Sequence, residues 1–234
     1  MSLITQEEAE RRSDGGTRGP VVLEPGEVLS PSARAYLTAH RVEVTRARTA
    51  QGYRTESGAK LREKPETMTH LRGDLLVEKP HPRIRLRGKI DSLEGEILLA
   101  QWIAHREGYP KLVEELEEVL SFVRSCMRWE VMDEPVGAFH LCGLDEAQLR
   151  ERSHHPEQFY GQSHFLPSWQ DGETMLALNR LRTAVRETEL AACAAWPKGE
   201  RVDFIQALNR LSSLIWIQMI RLKAGEYGGG TWKT

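Results

Sequence analysis

From residue 82 onward the apolar residues recur at helical spacing, interrupted only at a few Pro and Gly positions. Leu86, Ile90, Leu93, Ile97 and Leu98, with Gln101, predict a helix that starts at Pro82 and ends near Gly108-Tyr109-Pro110. A second helix follows over Lys111–Met132. Its apolar face is Leu112, Leu116, Val119, Leu120 and Val123, and its group Glu114, Glu115, Glu117 and Glu118 reads as a solvated face. The spacing predicts a third helix over Asp145–Arg152, broken at His154-His155-Pro156, a fourth from Glu173 to Trp196, and a fifth from about Asp203 to Lys223. The fifth is apolar almost all round between Leu208 and Leu222, with Trp216 and Met219 on its buried side, which suits the middle of a bundle or a subunit interface. Five helices joined by connections of mixed length predict an all-α five-helix bundle as the main domain.

Upstream the pattern changes. Residues 1 to 20 are polar, include Gly15, Gly16 and Gly19, show no period, and read as a mobile tail. From Val21 a short apolar run, a Pro25-Gly26 turn, a Ser30-Pro31 helix start ahead of Ala33–Ala39, and alternating Val42 and Val44 predict a small N-terminal α+β appendage. Residues 47 to 66, with Gly52, Gly58 and Pro65, read as a loop or weak hairpin. The expected organisation is a tail over 1–20, a module and loop over 21–66, a bundle over 67–227 and a flexible end over 228–234.

Composition narrows the classes. The chain is 40% hydrophobic and 28% charged over 234 residues, with a formal net charge of -2, values that suit a globular domain with a full-sized core. The apolar run Leu214–Ile217 is far too short to span a bilayer, and no export signal opens the sequence, so the expectation is a cytoplasmic protein without a membrane partner. Near-neutral charge removes the usual argument for nucleic acid, although Arg83, Arg85, Arg87 and Lys89 form a local cluster that suits a polyanion. Cys126, Cys142 and Cys193 lack CxxC spacing, which suits a reducing compartment.

Charge on the fourth helix is the feature that calls for chemistry. At about 100° per residue, Arg182, Arg186 and Glu189 fall on one stripe with Met175, Leu178 and Cys193, so the charges are expected on the core-facing side. Asp91, on the same side of the first helix as Leu98 and Trp102, is expected to be at least half buried and is a physically reasonable partner for either arginine. A buried ion pair that fixes helix register and a ligand site both fit this spacing, which does not separate them. His154, His155 and His164, beside Phe159, Tyr160 and Phe165, have no carboxylate or cysteine at a recognised ligand spacing, so no metal site is expected there. No GxxxxGKS, GxGxxG or GxSxG motif is present.

Four segments in order carry a family resemblance: Lys64-Pro-Glu-Thr-Met-Thr-His-Leu71, Pro82 through Gly88-Lys-Ile-Asp-Ser-Leu93, Leu181-Arg-Thr-Ala-Val-Arg-Glu-Thr-Glu189, and Ala207-Leu-Asn-Arg-Leu-Ser-Ser213. In this order they resemble the trimeric helical-bundle ATP:cob(I)alamin adenosyltransferases, and among them the ethanolamine-utilisation branch, to whose N-terminal region Ser30-Pro-Ser-Ala-Arg34 is also similar. The resemblance implies transfer of the 5′-deoxyadenosyl group of ATP to cob(I)alamin, with Mg2+, at sites between subunits of a homo-oligomer, a trimer. It implies that Arg182 pairs with Asp91, that Arg186 lies on the phosphates, and that Glu189 and Asn209 complete the nucleotide site with Thr69 and Lys79. It also implies a flavoprotein reductase and an adenosylcobalamin-dependent lyase as partners, and association with a bacterial microcompartment. A carrier that binds adenosylcobalamin and hands it on without catalysis is the alternative of a different class.

Three departures from the family pattern stand out. Relatives place a phenylalanine three residues before a proline ahead of the fourth helix, to lie under the corrin. Here the segment is His164-Phe-Leu-Pro167, so Phe165 is the choice for that role, with His164 as a direct neighbour of the corrin. Some members of the branch carry a His and Cys-Cys-xx-Cys metal motif, whereas residues 47 to 66 contain neither residue type, so no transition-metal requirement is expected. The glycine-rich phosphate turn of other relatives is replaced by Glu63–Met68.

Overall fold

The structure, a computed structural model, describes residues 2–14, 20–24, 27–46 and 52–228. The chain divides into two compact units, Met1–Lys64 and Pro65–Thr234.

In the first unit, strand β1 (Ser2–Ile4) leads into helix α1 (Gln6–Ser13), followed by β2 (Val21–Leu23), β3 (Glu27–Leu29), α2 (Pro31–Ala39) and β4 (Val44–Arg46). Two parallel pairs result, β1 with β3 and β2 with β4. Residues 2–13 therefore correct the expectation of a tail without structure. Thr5 caps α1 by accepting from the Glu8 N–H, and Ile4 and Ala9 join Val21, Leu23, Ala33 and Leu37 in a small core. Arg12 holds the arrangement by donating to Glu8 and, through both terminal nitrogens, to Glu27 at 2.8 Å. Ser30 caps α2 as its sequence predicts, accepting from Ala33 N–H at 3.1 Å. A hairpin, β5 (Tyr53–Thr55) with β6 (Lys60–Leu61), turns at Gly58, whose φ of 82° favours glycine. The Pro25-Gly26 turn, the glycines at 15, 16 and 19, residues 47–51 and the end after Gly228 lie outside the described residues.

The second unit opens with the hairpin β7 (Met68–Arg72) and β8 (Leu75–Glu78) and continues with α3 (Pro82–Arg106) and α4 (Pro110–Met132). A minimal hairpin, β9 (His140–Leu141) with β10 (Leu144–Asp145), precedes α5 (Glu146–His154), α6 (Pro156–Tyr160), a single 3-10 turn at Trp169–Asp171, α7 (Glu173–Ala195) and α8 (Val202–Lys223). The five expected helices are all present, and α6 is an addition that Pro156 starts and Gly161 ends. His155 interrupts the helix one residue later than the pattern placed the break, and Asp145 caps α5 in a reciprocal box with Gln148.

Helix α7 packs between α3 and α8, α4 lies on α3, and α5 and α6 lie on α8. The core runs through Leu86, Ile90, Leu93, Ile97, Leu112, Leu116, Leu178, Leu181, Phe204 and Leu208, all fully buried. Each such side chain contributes roughly 1.5–3 kcal/mol relative to exposure. One glutamate of the α4 acidic run departs from the solvated face: Glu115 accepts from Arg221 at 2.8 and 3.0 Å and from the Tyr227 hydroxyl at 2.6 Å, tying α4 to the end of α8. The chain around Gly225–Tyr227 is thereby fastened down.

Two members of the basic cluster at the start of α3 are also internal. Arg83 donates to Glu130 of α4 at 2.6 Å, Arg87 donates to the other oxygen of that carboxylate, and Glu130 is wholly buried. Arg87 also donates to the carbonyls of His70 and Leu71 at 3.1 and 2.8 Å, beside an irregularity in the β7–β8 ladder. The hairpin that carries Thr69 is in this way located against α3 and α4.

Candidate functional site

The buried face of α7 consists of Thr174, Met175, Leu178, Leu181, Val185, Thr188 and Ala192. Arg182, Arg186 and Glu189 lie on a stripe about 90° round the helix from it, along the α8 edge. The structure thus corrects the expectation of charge on the core-facing side: Arg182 and Glu189 are half-buried, and Arg186 and Cys193 are exposed. The charges line a rim and the apolar seam below them is intact.

What the rim lacks is partners. Arg182 makes one long bond, 3.4 Å to Asn179, and its Nε is buried with no acceptor. Its guanidinium carbon stands 5.6 Å from the centroid of Trp216 on α8. Burial out of water, with the Arg186 charge beside it, pushes the Arg182 pKa below its ordinary value. Two cations four residues apart, one of them partly desolvated, constitute a site short of negative charge. Arg186 has no ion pair among the described residues.

Glu189 and Asn209 do come together across α7 and α8, the amide donating to the carboxylate at 3.0 Å, while Arg210 donates to the Asn209 side-chain oxygen Oδ1 at 2.9 Å. The second Glu189 oxygen has no partner among the described residues. His164 and Phe165 lie against the same corner from the segment ahead of α7. The His164 ring is parallel to Trp216 (5.8 Å, 7°), Phe165 stacks on Trp216 at 5.1 Å, and Lys223 lies 4.9 Å over the Phe165 ring. Trp216, half-buried rather than core, is the residue that joins the arginine rim to the His164-Phe165 segment. The sequence reading missed this role because periodicity along α8 places Trp216 only on an inner face.

Asp91 is not brought to Arg182. Helix α3 spends its α7 side on Lys89–Glu187 at 2.6 Å and Glu96–Arg180 at 2.7 Å, and its α4 side on Glu94–Arg124 at 3.2 Å. Asp91 lies between these edges on the open face, exposed and without a side-chain partner among the described residues. The half-buried position expected for it is corrected for the same reason that Leu98 and Trp102, on its side of α3, are exposed, Trp102 to 56%. Thr69, half-buried on β7 opposite Val77, and Lys79, exposed and with its N–H on the Thr67 carbonyl at 2.9 Å, stay together on one hairpin. Among the described residues no hydrogen bond or ion pair joins either to Arg186. The three histidines lie close together without metal-binding geometry: among the described residues no group of three His, Cys, Asp or Glu side chains is arranged to hold a metal ion.

The bundle of four long helices thus carries an arginine rim short of anions next to an aromatic corner. The chain belongs to the cobalamin adenosyltransferase family, whose profile matches residues 59–222. Corrinoid adenosyltransferase EutT of Salmonella typhimurium strain LT2 is 37% identical over 161 residues, and that of Escherichia coli K12 is 35% identical over the same length. The matched stretch is 67% of this chain and 59% of the length of those relatives. Among solved structures, two variants of the PduO-type ATP:corrinoid adenosyltransferase of Lactobacillus reuteri share the fold. A phenylalanine-to-histidine variant complexed with cobalamin and ATP has TM-score 0.54, 20% identity, and coverage of 69% of this chain and 88% of its own. An arginine-to-lysine variant complexed with ATP has TM-score 0.53, 19% identity, and coverage of 69% and 91%.

Proposed function

We propose that this chain is an ATP:cob(I)alamin adenosyltransferase that makes adenosylcobalamin for ethanolamine utilisation. The observation that carries the proposal is the unsatisfied cationic rim: Arg182, with a buried Nε that has no acceptor, beside the free Arg186. In the reaction, cobalt(I) attacks the C5′ carbon of ATP, the cobalt-carbon bond forms, and the C5′–O bond breaks with its electron pair leaving on the triphosphate. Negative charge therefore grows on the polyphosphate oxygens, where guanidinium groups already in place act without reorganising. Cobalt(I) is a strong nucleophile, so alignment of the ring with the leaving oxygen is the larger part of the protein's task.

In this reading Arg186 takes the phosphates, Thr69 and Lys79 bring further donors, and Asn209 orients Glu189. Magnesium fits the arrangement, because Glu189 has a free oxygen and Mg2+ is held by one or two carboxylates together with phosphate oxygens. Bound there it would neutralise part of the polyphosphate charge. Phe165 and His164, backed by Trp216, supply the apolar seat for the corrin. The phenylalanine-to-histidine variant complexed with cobalamin and ATP supports a histidine being tolerated in such a protein.

The placement of Asp91 supports a site shared between copies. Arg182 on the α8 edge of α7 and Asp91 on the open face of α3 do not meet in one chain, and neither has an ion pair among the described residues. A second copy that packs on α3 brings its Arg182 to Asp91 and covers Leu98 and Trp102. A homotrimer is the assembly we propose, in the cytoplasm or associated with a microcompartment, supplied by a flavoprotein reductase and serving an adenosylcobalamin-dependent lyase. No described helix is long and apolar enough to cross a membrane.

The test is an anaerobic assay with ATP and chemically reduced cobalamin, following the cobalt-carbon product by its absorbance. Arg186→Ala is expected to lower the rate about 100- to 1,000-fold while circular dichroism stays helical. Full activity in that variant would sink the assignment. Corrinoid binding without any ATP-dependent product in the wild type would favour the carrier instead.

A further inference from the structure

Thr69 and Lys79 belong to a two-stranded hairpin, and a hairpin alone is marginal in water, so its place must be set by the rest of the unit. The ladder pairs Met68 with Glu78 and Thr69 with Val77, and the Lys79 N–H donates to the Thr67 carbonyl at 2.9 Å. Thr69 and Lys79 therefore move as one body. Met68, Leu71, Leu76 and Val77 are buried, which holds the hairpin down without giving it a direction, because apolar burial is not directional.

Direction comes from two arginines on either side of the ladder irregularity between His70 and Arg72. Arg87 gives Nε to the wholly buried Glu130, Nη1 to the His70 carbonyl at 3.1 Å and Nη2 to the Leu71 carbonyl at 2.8 Å, and His70 follows Thr69 directly. Arg83 holds Glu130 from the other side, donating to its carboxylate and to its carbonyl at 2.6 Å. A planar fork fixed at one edge by a buried carboxylate has the aim of its other N–H groups fixed too. Past the irregularity, Arg72 pairs at 2.9 Å with Asp133, the left-handed residue that ends α4. The hairpin is thus pinned to α3 by one arginine and to α4 by the other.

We infer that Arg87 is a positioning residue for the nucleotide: through the His70 and Leu71 carbonyls it sets where Thr69 and Lys79 stand, with the Arg72–Asp133 pair as the second pin. The inference rests on the nucleotide role proposed for Thr69 and Lys79. It gives the basic cluster at the start of α3 a task that is neither polyanion binding nor packing alone, since donors held in place before the ligand arrives act without reorganising.

The experiment measures ATP binding by calorimetry and oxidised cobalamin binding by tryptophan fluorescence on the full chain. Arg87→Lys keeps a cation facing Glu130, but one ammonium cannot serve the carboxylate and both carbonyls as the fork does. It is expected to weaken ATP about tenfold, the size of two lost hydrogen bonds, with cobalamin affinity within about twofold of wild type. Arg72→Gln, at an exposed pair that folding does not need, should weaken ATP roughly threefold with the melt unchanged. Amide exchange should rise in β7 and β8 and not in α3 or α4. Where Arg87→Lys fails to fold, Arg72→Gln decides alone. ATP affinity unchanged in the folded variants, or ATP and cobalamin weakened alike, would overturn the inference, because an arginine that only holds the fold together does not separate the two ligands. ATP weakened in the variants while wild type forms no product would overturn the proposed reaction and leave the inference standing. Product formed with an ATP affinity indifferent to both arginines would do the opposite, and a wild type that binds no ATP overturns both.

Discussion

Arg83 and Arg87 on α3, and Arg182 and Arg186 on α7, are two pairs of arginines with the same four-residue spacing on adjacent helices, and they meet opposite fates. The first pair closes on Glu130, which is 0% exposed, and Arg87 spends its remaining donors on two backbone carbonyls. The second pair finds one amide at 3.4 Å. A buried charge with all its bonds made belongs to the architecture, since a low-dielectric surrounding penalises anything less. A half-buried charge with its bonds unmade is tolerated when something outside the chain completes it. Spacing is the same in both cases, and a single glutamate from α4 makes the difference.

The comparison can be broken by substitution on either side, and the largest effect is expected on the closed side. Glu130→Ala strands two guanidiniums in the interior and should cost about 3–5 kcal/mol of stability. In a thermal melt that is a fall of roughly 10 °C or more for a unit of this size. A melt within a few degrees of wild type would show that the Glu130 contacts are not what holds α3, α4 and β7 together. Arg182→Ala is expected to do the reverse. It removes a cation that has no ion pair among the described residues, so the stability of the isolated chain should move by less than about 1 kcal/mol while adenosyl transfer falls about 100-fold. An Arg182 variant that melts like the Glu130 variant would place Arg182 in the same structural class as Arg83.

Much of the bundle was legible because punctuation and period agree. Pro82, Pro110 and Pro156 start helices, Gly161 ends one, and the apolar repeat on α3 and α4 is strong. The face of α7 was misjudged for a physical reason. Its buried arc includes Thr188 and Ala192, which carry little hydrophobic signal, whereas Met175 and Cys193 pull the apparent apolar direction toward the charges. Asp91 was placed inward by Leu98 and Trp102, apolar residues that the single chain leaves uncovered. Helix α1 was missed because its eight residues contain one apolar position, Ala9, among charges. Glu115 looked like its neighbours because its partner, Arg221, is more than a hundred positions away in the chain. Of the candidate site, the residues of α7 and the Glu189–Asn209 contact follow from pattern and resemblance, while Trp216 as the link between rim and corner required the packing of α8.

The smallest expected effect falls on the segment that carries His164 and Phe165 to Trp216. Lys223 spans it, donating to Asp171 at 2.7 Å while lying over Phe165, and Leu166 and Trp169 between them are 93% and 78% exposed. The Lys223 ammonium, together with the Ser168 N–H, holds the Asp171 carboxyl below its ordinary value. A carboxyl whose pKa is lower folded than unfolded stabilises the fold above the unfolded value, and that stabilisation is lost as pH falls through the folded value. Asp171→Asn should therefore lower the melting midpoint at neutral pH by no more than about 2–4 °C. The gap between variant and wild type should close as the pH falls through the folded value of the Asp171 carboxyl. A gap that persists in acid would mean that the carboxylate charge is not what fastens the segment. Closure of the gap, with the cobalamin KM raised at neutral pH, would tie the Lys223–Asp171 bridge to the seating of His164 and Phe165 on Trp216, and so extend the open side of the comparison from the nucleotide rim to the corrin.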